Sequence, residues 1–151
     1  MITAPNLPED NFALITQLIG AFGGEPGVAE RAAALRRALV DALEQTRPGG
    51  RMQQRVLNLI WRDPWMTVAR ETYIAAGMLA RIGSHTLPKV QGGATGAVRY
   101  PVLSGEEPWL EEVQQVLLSS EPYRFGTGHL GEARRLCPNA RARLVDGKLL
   151  S

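Results

Sequence analysis

Arg51-Met-Gln-Gln-Arg-Val-Leu-Asn-Leu-Ile-Trp-Arg62 stands near the middle of the 151-residue chain, and the segments on either side take their meaning from it. At about 100° per residue, Arg51, Arg55 and Arg62 fall at roughly 0°, 40° and 20°, one narrow basic stripe. Met52, Val56, Leu57, Leu59, Ile60 and Trp61 fill the rest of the wheel. This arrangement predicts an amphipathic helix over Arg51–Trp61.

Towards the N-terminus, Pro48, Gly49 and Gly50 break the chain before this helix. Further back, Val28, Ala32, Leu35, Leu39, Ala42 and Leu43 keep helical spacing from Pro26 to about Thr46. Phe12, Ile15, Leu18, Ile19 and Phe22 do the same between Pro8 and Gly23. Towards the C-terminus, Asp63-Pro64 reads as a helix-to-helix corner, with Asp63 capping a helix over Trp65–Ile82 that Gly83 ends. Ser84–Gly96 reads as a loop and Ala97–Leu103 as one short edge strand, since Pro101 cannot donate to a ladder. Ser104 and Glu107 have capping-box spacing ahead of Leu110, Val113 and Leu117, which predicts a fifth helix. After an irregular Ser119–Gly128, Leu130–Cys137 forms a short helix stopped by Pro138. Ala140–Leu150 alternates around Asp146-Gly147 as a hairpin.

The predicted fold is therefore mainly α: a helical single domain over residues 1–151 with a small C-terminal β-hairpin, divisible into a helical bundle, 1–83, and an α+β part, 84–151. Composition agrees with a folded domain, at 44% hydrophobic and 21% charged residues, and argues against collagen-like or disordered chains. The single Cys137 excludes an internal disulfide and a cysteine-pair zinc site, and with no visible export signal it points to a cytoplasmic location. No apolar run reaches the roughly 18–20 residues that span a membrane, so no membrane role is expected.

Charge is segregated. Residues 51–100 hold seven Lys or Arg against two acids, a balance of +5, whereas residues 1–50 stand at −2 and 101–151 at −1. Within the last segment an acidic stretch, Glu106, Glu107, Glu111, Glu112 and Glu121, precedes a basic one with Arg124, Arg134, Arg135, Arg141, Arg143 and Lys148. The short helix carrying Arg134 and Arg135, followed by a hairpin with Arg141, Arg143 and Lys148, resembles the recognition helix and wing of winged-helix DNA binders. A nucleic-acid-binding regulator would make its phosphate contacts through the stripe Arg51, Arg55 and Arg62 or, as that resemblance of about the last twenty residues implies, through Arg134, Arg135, Arg141, Arg143 and Lys148.

Catalytic motifs are missing from the sequence. His85 and His129 fit no metal-ligand spacing, Cys137 reads as a small core residue, and no nucleophile elbow or Walker loop occurs, so neither a metal nor a cofactor is expected. Lys89 with Gly92, Gly93, Thr95 and Gly96 is the nearest approach to a phosphate-cradling loop, although it follows a helix rather than a strand in this reading. Tyr123-Arg124-Phe125-Gly126-Thr127-Gly128-His129 mixes aromatic, cationic and flexible residues as binding loops do. Trp61 and Trp65 flank the Asp63-Pro64 corner and read as core residues or interface anchors. The function expected first is thus a non-catalytic interaction or assembly protein, an adaptor or a homo-oligomer. It would meet a protein partner through Glu106, Glu107, Glu111, Glu112, Tyr123, Arg124 and Phe125, with the nucleic-acid regulator as its rival.

Overall fold

Five strands form one sheet, and its central strand is the stretch that the sequence presents as an arginine-striped helix. The computed structural model describes residues 7–46, 53–93 and 96–149. Two helices come first, α1 (Asn11–Phe22) and α2 (Val28–Gln45), close to the bounds their apolar spacing predicts. Strand β1 (Gln54–Trp61) follows, and Arg51 lies outside the described residues.

Val56, Leu57, Asn58, Leu59 and Ile60 are all buried in succession. A helix with one covered face exposes part of every five-residue run, whereas a strand covered on both faces hides every position. Leu57 and Leu59 join Leu103, Leu110, Val113, Val116, Leu118, Phe125, Ala133 and Cys137 in the main core. Ile60, on the other face, packs with Val68 and Ala75. Periodicity alone cannot separate a short apolar run in a helix from a two-sided strand, and tertiary cover decides here for the strand.

The rest of the expected helical architecture is corrected in the same way. Residues Trp65–Ile82 give strand β2 (Met66–Thr67), antiparallel to β1, and a π-helical segment, Tyr73–Leu79, capped where Thr72 Oγ1 accepts from the Ala75 amide at 3.2 Å. Strand β3 (Ser84–Thr86) lies within the expected loop and runs parallel to β1. Instead of an edge strand, the next segment holds a short helix, α3 (Gly96–Arg99), and one bridge from Val102 to Met66. The Ser104–Leu117 helix shrinks to one 3-10 turn, Pro108–Glu112, followed by strand β4 (Gln115–Ser119), parallel to β1. Glu107 does reach back, accepting from the Ser104 and Gly105 amides at 2.7 and 2.9 Å. Those bonds hold its carboxyl below the usual range against the upward push of burial.

Helix α4 (His129–Leu136) then leads to strand β5 (Arg141–Val145), parallel to β4. No hairpin forms among the described residues, because Gly147–Leu149 turns into a 3-10 helix after β5. Gly147 serves close approach rather than a type I′ turn: a Cβ there would stand 2.6 Å from both the Glu121 amide nitrogen and Ser119 Oγ. Ser120 locks the same place, its Oγ accepting from the Gly147 amide at 2.9 Å.

The chain is therefore a mixed α/β protein with parallel strands in the order β3-β1-β4-β5 and β2 beside the far end of β1. Helices α1 and α2 pack on each other, with Arg36 over the Phe12 ring at 5.3 Å. Arg81, at the end of the π-helical segment, ties them to the sheet by binding Glu9, the Thr46 hydroxyl and the Leu43 carbonyl.

Candidate functional site

The chain leaves β1 towards β3 on one side and reaches β4 on the other, so the strand order reverses between β1 and β4. In open α/β sheets such a switch point leaves a crevice outside the carboxyl ends of the strands, where ligands bind. Trp61 ends β1 at this edge, Arg62, Asp63 and Trp65 follow it, and Ser120, Tyr123 and Phe125 follow β4.

These residues form a continuous aromatic rim. Trp61 meets Tyr123 edge-on with centroids 5.5 Å apart, and Tyr123 tilts against Phe125 at 4.7 Å. Phe125 stacks on Trp65 at 6.1 Å with 11° between the rings. His129, at the start of α4, closes the cluster edge-on to both Tyr123 and Phe125. The Gly126 amide donates to His129 Nδ1 at 3.0 Å, which leaves the ring proton of the neutral imidazole on Nε2, facing the Tyr123 hydroxyl at 3.4 Å. Both ring nitrogens thus hold the loop's shape. Phe125 is buried, while Trp61 remains 41% exposed and offers its indole outward.

One cation is set into this rim. The Arg62 guanidinium lies 4.7 Å over the Trp65 ring, donates from Nε to Glu132 of α4 at 2.7 Å, and pairs with Asp63 at 3.0 Å. Asp63 adopts φ 63°, in the left-handed region that asparagine and aspartate tolerate best, so it turns the chain here rather than capping a helix. The Arg62 hydrogen bond, with the charge behind it, holds the Glu132 carboxyl below its usual range despite some desolvation, and Glu132 in turn raises Arg62. A carboxylate with a lowered folded pKa adds stability above its unfolded pKa and loses it as pH falls through the folded value. Glu132→Gln is therefore expected to lower the melting temperature at neutral pH, the gap closing as the solution is acidified below the carboxylate range. A gap that stays constant across an acid series of thermal melts would contradict this.

The residues singled out from sequence are dispersed. Arg55 starts β1 and Arg62 follows its end, about 23 Å apart at strand rise, so the basic stripe does not exist. Arg134 and Arg135 are exposed on α4, Arg141 and Arg143 are exposed on β5, and Lys148 lies beyond it. With β5 parallel to β4 there is no wing beside a recognition helix. Glu106, Glu107, Glu111 and Glu112 lie before β4, at the edge opposite the aromatic rim, and Arg124 is exposed between Tyr123 and Phe125. Sequence reading did not single out Glu132; it named His129 as the end of the Tyr123–His129 loop, and Trp61 and Trp65 as core residues or interface anchors, without bringing them together. The signal available for them was two pairs of aromatics, Trp61/Trp65 and Tyr123/Phe125, each just beyond an apolar run.

No family model matches the chain, and no curated protein matches it. Among solved structures, its fold is shared with an ABC transporter substrate-binding protein and with periplasmic heme-binding and vitamin B12-binding proteins. The periplasmic heme-binding protein HutB of Vibrio cholerae is 18% identical with a TM-score of 0.70, matched over 99% of this chain and 59% of its own. An ABC transporter substrate-binding protein from Listeria monocytogenes EGD-e is 16% identical with a TM-score of 0.68, over 97% of this chain and 58% of its own. The periplasmic vitamin B12-binding protein BtuF of Vibrio cholerae is 16% identical with a TM-score of 0.61, over 92% and 53%. The chain spans between half and three-fifths of the length of these structures. This likeness overturns the mainly α fold, and with it the adaptor, homo-oligomer and nucleic-acid-regulator readings and the protein and nucleic-acid partners that went with them. The fold is shared with solute-binding proteins, and the stripe and wing that supported those readings are not formed. The cytoplasmic location is corrected as well, since two of the three structures are periplasmic proteins.

Proposed function

We propose that this chain is a solute-binding lobe of an ABC-transporter substrate-binding protein, and that its ligand lies against the aromatic rim at the carboxyl ends of β1 and β4. The observation that carries the reading is the exposed Trp61 indole, held edge-on by Tyr123 at the strand-order switch, with Arg62 beside it. Aromatic faces on a preformed wall suit a bulky ligand with a broad conjugated or apolar surface, and a guanidinium next to them suits an acidic substituent on that ligand. Two of the solved structures of this fold are named for such ligands, heme and vitamin B12. Substrate-binding proteins hand their solute to a membrane transporter, and the same role is proposed here.

Titration of the chain's tryptophan fluorescence with hemin, and separately with vitamin B12, tests the reading. Saturable quenching by one of them is expected, and Trp61→Ala should weaken it by about tenfold or more, the loss of roughly 1.4 kcal/mol of stacking and packing. Absence of saturation with both, or an affinity indifferent to Trp61→Ala, would overturn the assignment.

A further inference from the structure

At the opposite, amino edge of the sheet a cavity of about 390 Å³ opens between the starts of β1, β3 and β4. We propose that it binds a small, multiply charged oxyanion, a phosphoryl or polycarboxylate group. Arg55, Arg70, Lys89 and His85 line it, with Gln53 and Gln114 between them. Arg55, Arg70, His85 and Lys89 come from segments distant in sequence, all within the 51–100 stretch that carries the +5 balance.

Their placement is fixed by the fold. The Arg70 amide donates to the Val90 carbonyl and the Glu71 amide to the Gln91 carbonyl, each at 2.9 Å, so the Lys89 segment is laced to the Arg70 segment. Gly92, at φ 102°, allows that approach, since a Cβ there would lie 3.2 Å from Ala69 Cβ. Arg55 is held from three directions: its amide donates to Gln114 Oε1, its carbonyl accepts from the Gln114 amide, and its Nε donates to the Glu112 carbonyl, all at 2.9 Å. His85 Nε2 sits 2.7 Å from Gln53 Oε1.

The charges themselves are barely answered. Arg55 meets the Glu112 carboxylate at 3.9 Å across an exposed gap, a distance at which an ion pair contributes little. Among the described residues, the Arg70 and Lys89 side chains have no ion pair or hydrogen bond. Three cations around one cleft repel each other, and an anion reverses that repulsion. Two guanidinium forks and an ammonium match the oxygens of phosphate and carboxylate groups, and the volume falls in the range of small-molecule sites. This cavity lies at the other end of β1 from the aromatic rim, so the inference is independent of the proposed function.

Calorimetric titration of the chain at low ionic strength with pyrophosphate, and separately with citrate, decides the matter. One-site binding of at least one probe is expected, weakened about tenfold by Arg70→Ala and by Lys89→Ala, as each removes a charge-assisted contact, and unchanged by Arg134→Ala with Arg135→Ala on α4. The tighter probe identifies the class as phosphoryl or carboxylate. No saturable binding, binding that both cavity variants retain, or equal weakening by the α4 double variant would each overturn the proposal. All four positions are partly or fully exposed, so the variants are expected to fold, and thermal melts in the absence of anion verify it.

Discussion

Asn58→Lys is expected to cost on the order of 3–5 kcal/mol, enough to unfold most of a protein whose total stability is typically about 5–15 kcal/mol. On the wheel that Arg51–Trp61 suggests, Asn58 stands at roughly 340°, beside the arginines, where lysine would be harmless. In the structure it is fully buried at the centre of β1, opposite Leu117 of β4, and neither polar atom of its carboxamide has a hydrogen-bond partner among the described residues. An ammonium there has no partner and no route to water. Asn58→Leu gives the opposite sign: it replaces an unpaired buried amide with a side chain of similar size, and is expected to leave stability unchanged or raise it by about 1 kcal/mol. Urea unfolding of both variants is the measurement. Tolerance of lysine would restore the helix and remove the central strand.

Phe125→Ala should cost about 3–5 kcal/mol and damage the site together with the core. Phe125 belongs to both: it packs into the cluster of Leu57, Leu59, Leu118 and Cys137, and it is the ring on which Trp65, Tyr123 and His129 converge. Its removal leaves a cavity under the aromatic rim and frees Tyr123 and Trp65 to turn. A drop in unfolding free energy together with loss of near-ultraviolet tryptophan dichroism is therefore expected. Full stability with a changed spectrum would show that the rim sits on the surface without support from below.

How far the sequence could be read follows from what each element touches. Helices α1 and α2 were legible because they are covered on one side at most: Ile15 is the buried residue of α1, and α2 has none. Their periodicity reports a local property. Helix α4 was legible for a similar reason, with the stop at Pro138. Strands β1 and β4 were not. Val56–Ile60 is buried on both faces, so no alternation survives to mark it as strand, and Leu110, Val113 and Leu117 keep helical spacing across a turn and a strand closely enough to pass for a stripe. Misreading β1 also hid the site. The Tyr123–His129 loop was recognisable by composition, but its meeting with Trp61 and Trp65 depends on β4 pairing with β1, a contact nearly sixty residues apart in the chain. The Asp146-Gly147 turn misled because glycine serves two needs, left-handed backbone and close approach, and only the packing against Ser119 and Glu121 tells them apart.

The central claim is that solute binds at the carboxyl edge of the sheet, and the three tryptophans report on it directly. Trp61 and Trp65 lie in the aromatic rim, whereas Trp109 precedes β4 at the opposite edge. Indole N–H resonances of nitrogen-15-labelled protein, followed while hemin or vitamin B12 is added, should shift or broaden for Trp61 and Trp65 and stay in place for Trp109. Perturbation of Trp109 with Trp61 and Trp65 unmoved would contradict the account.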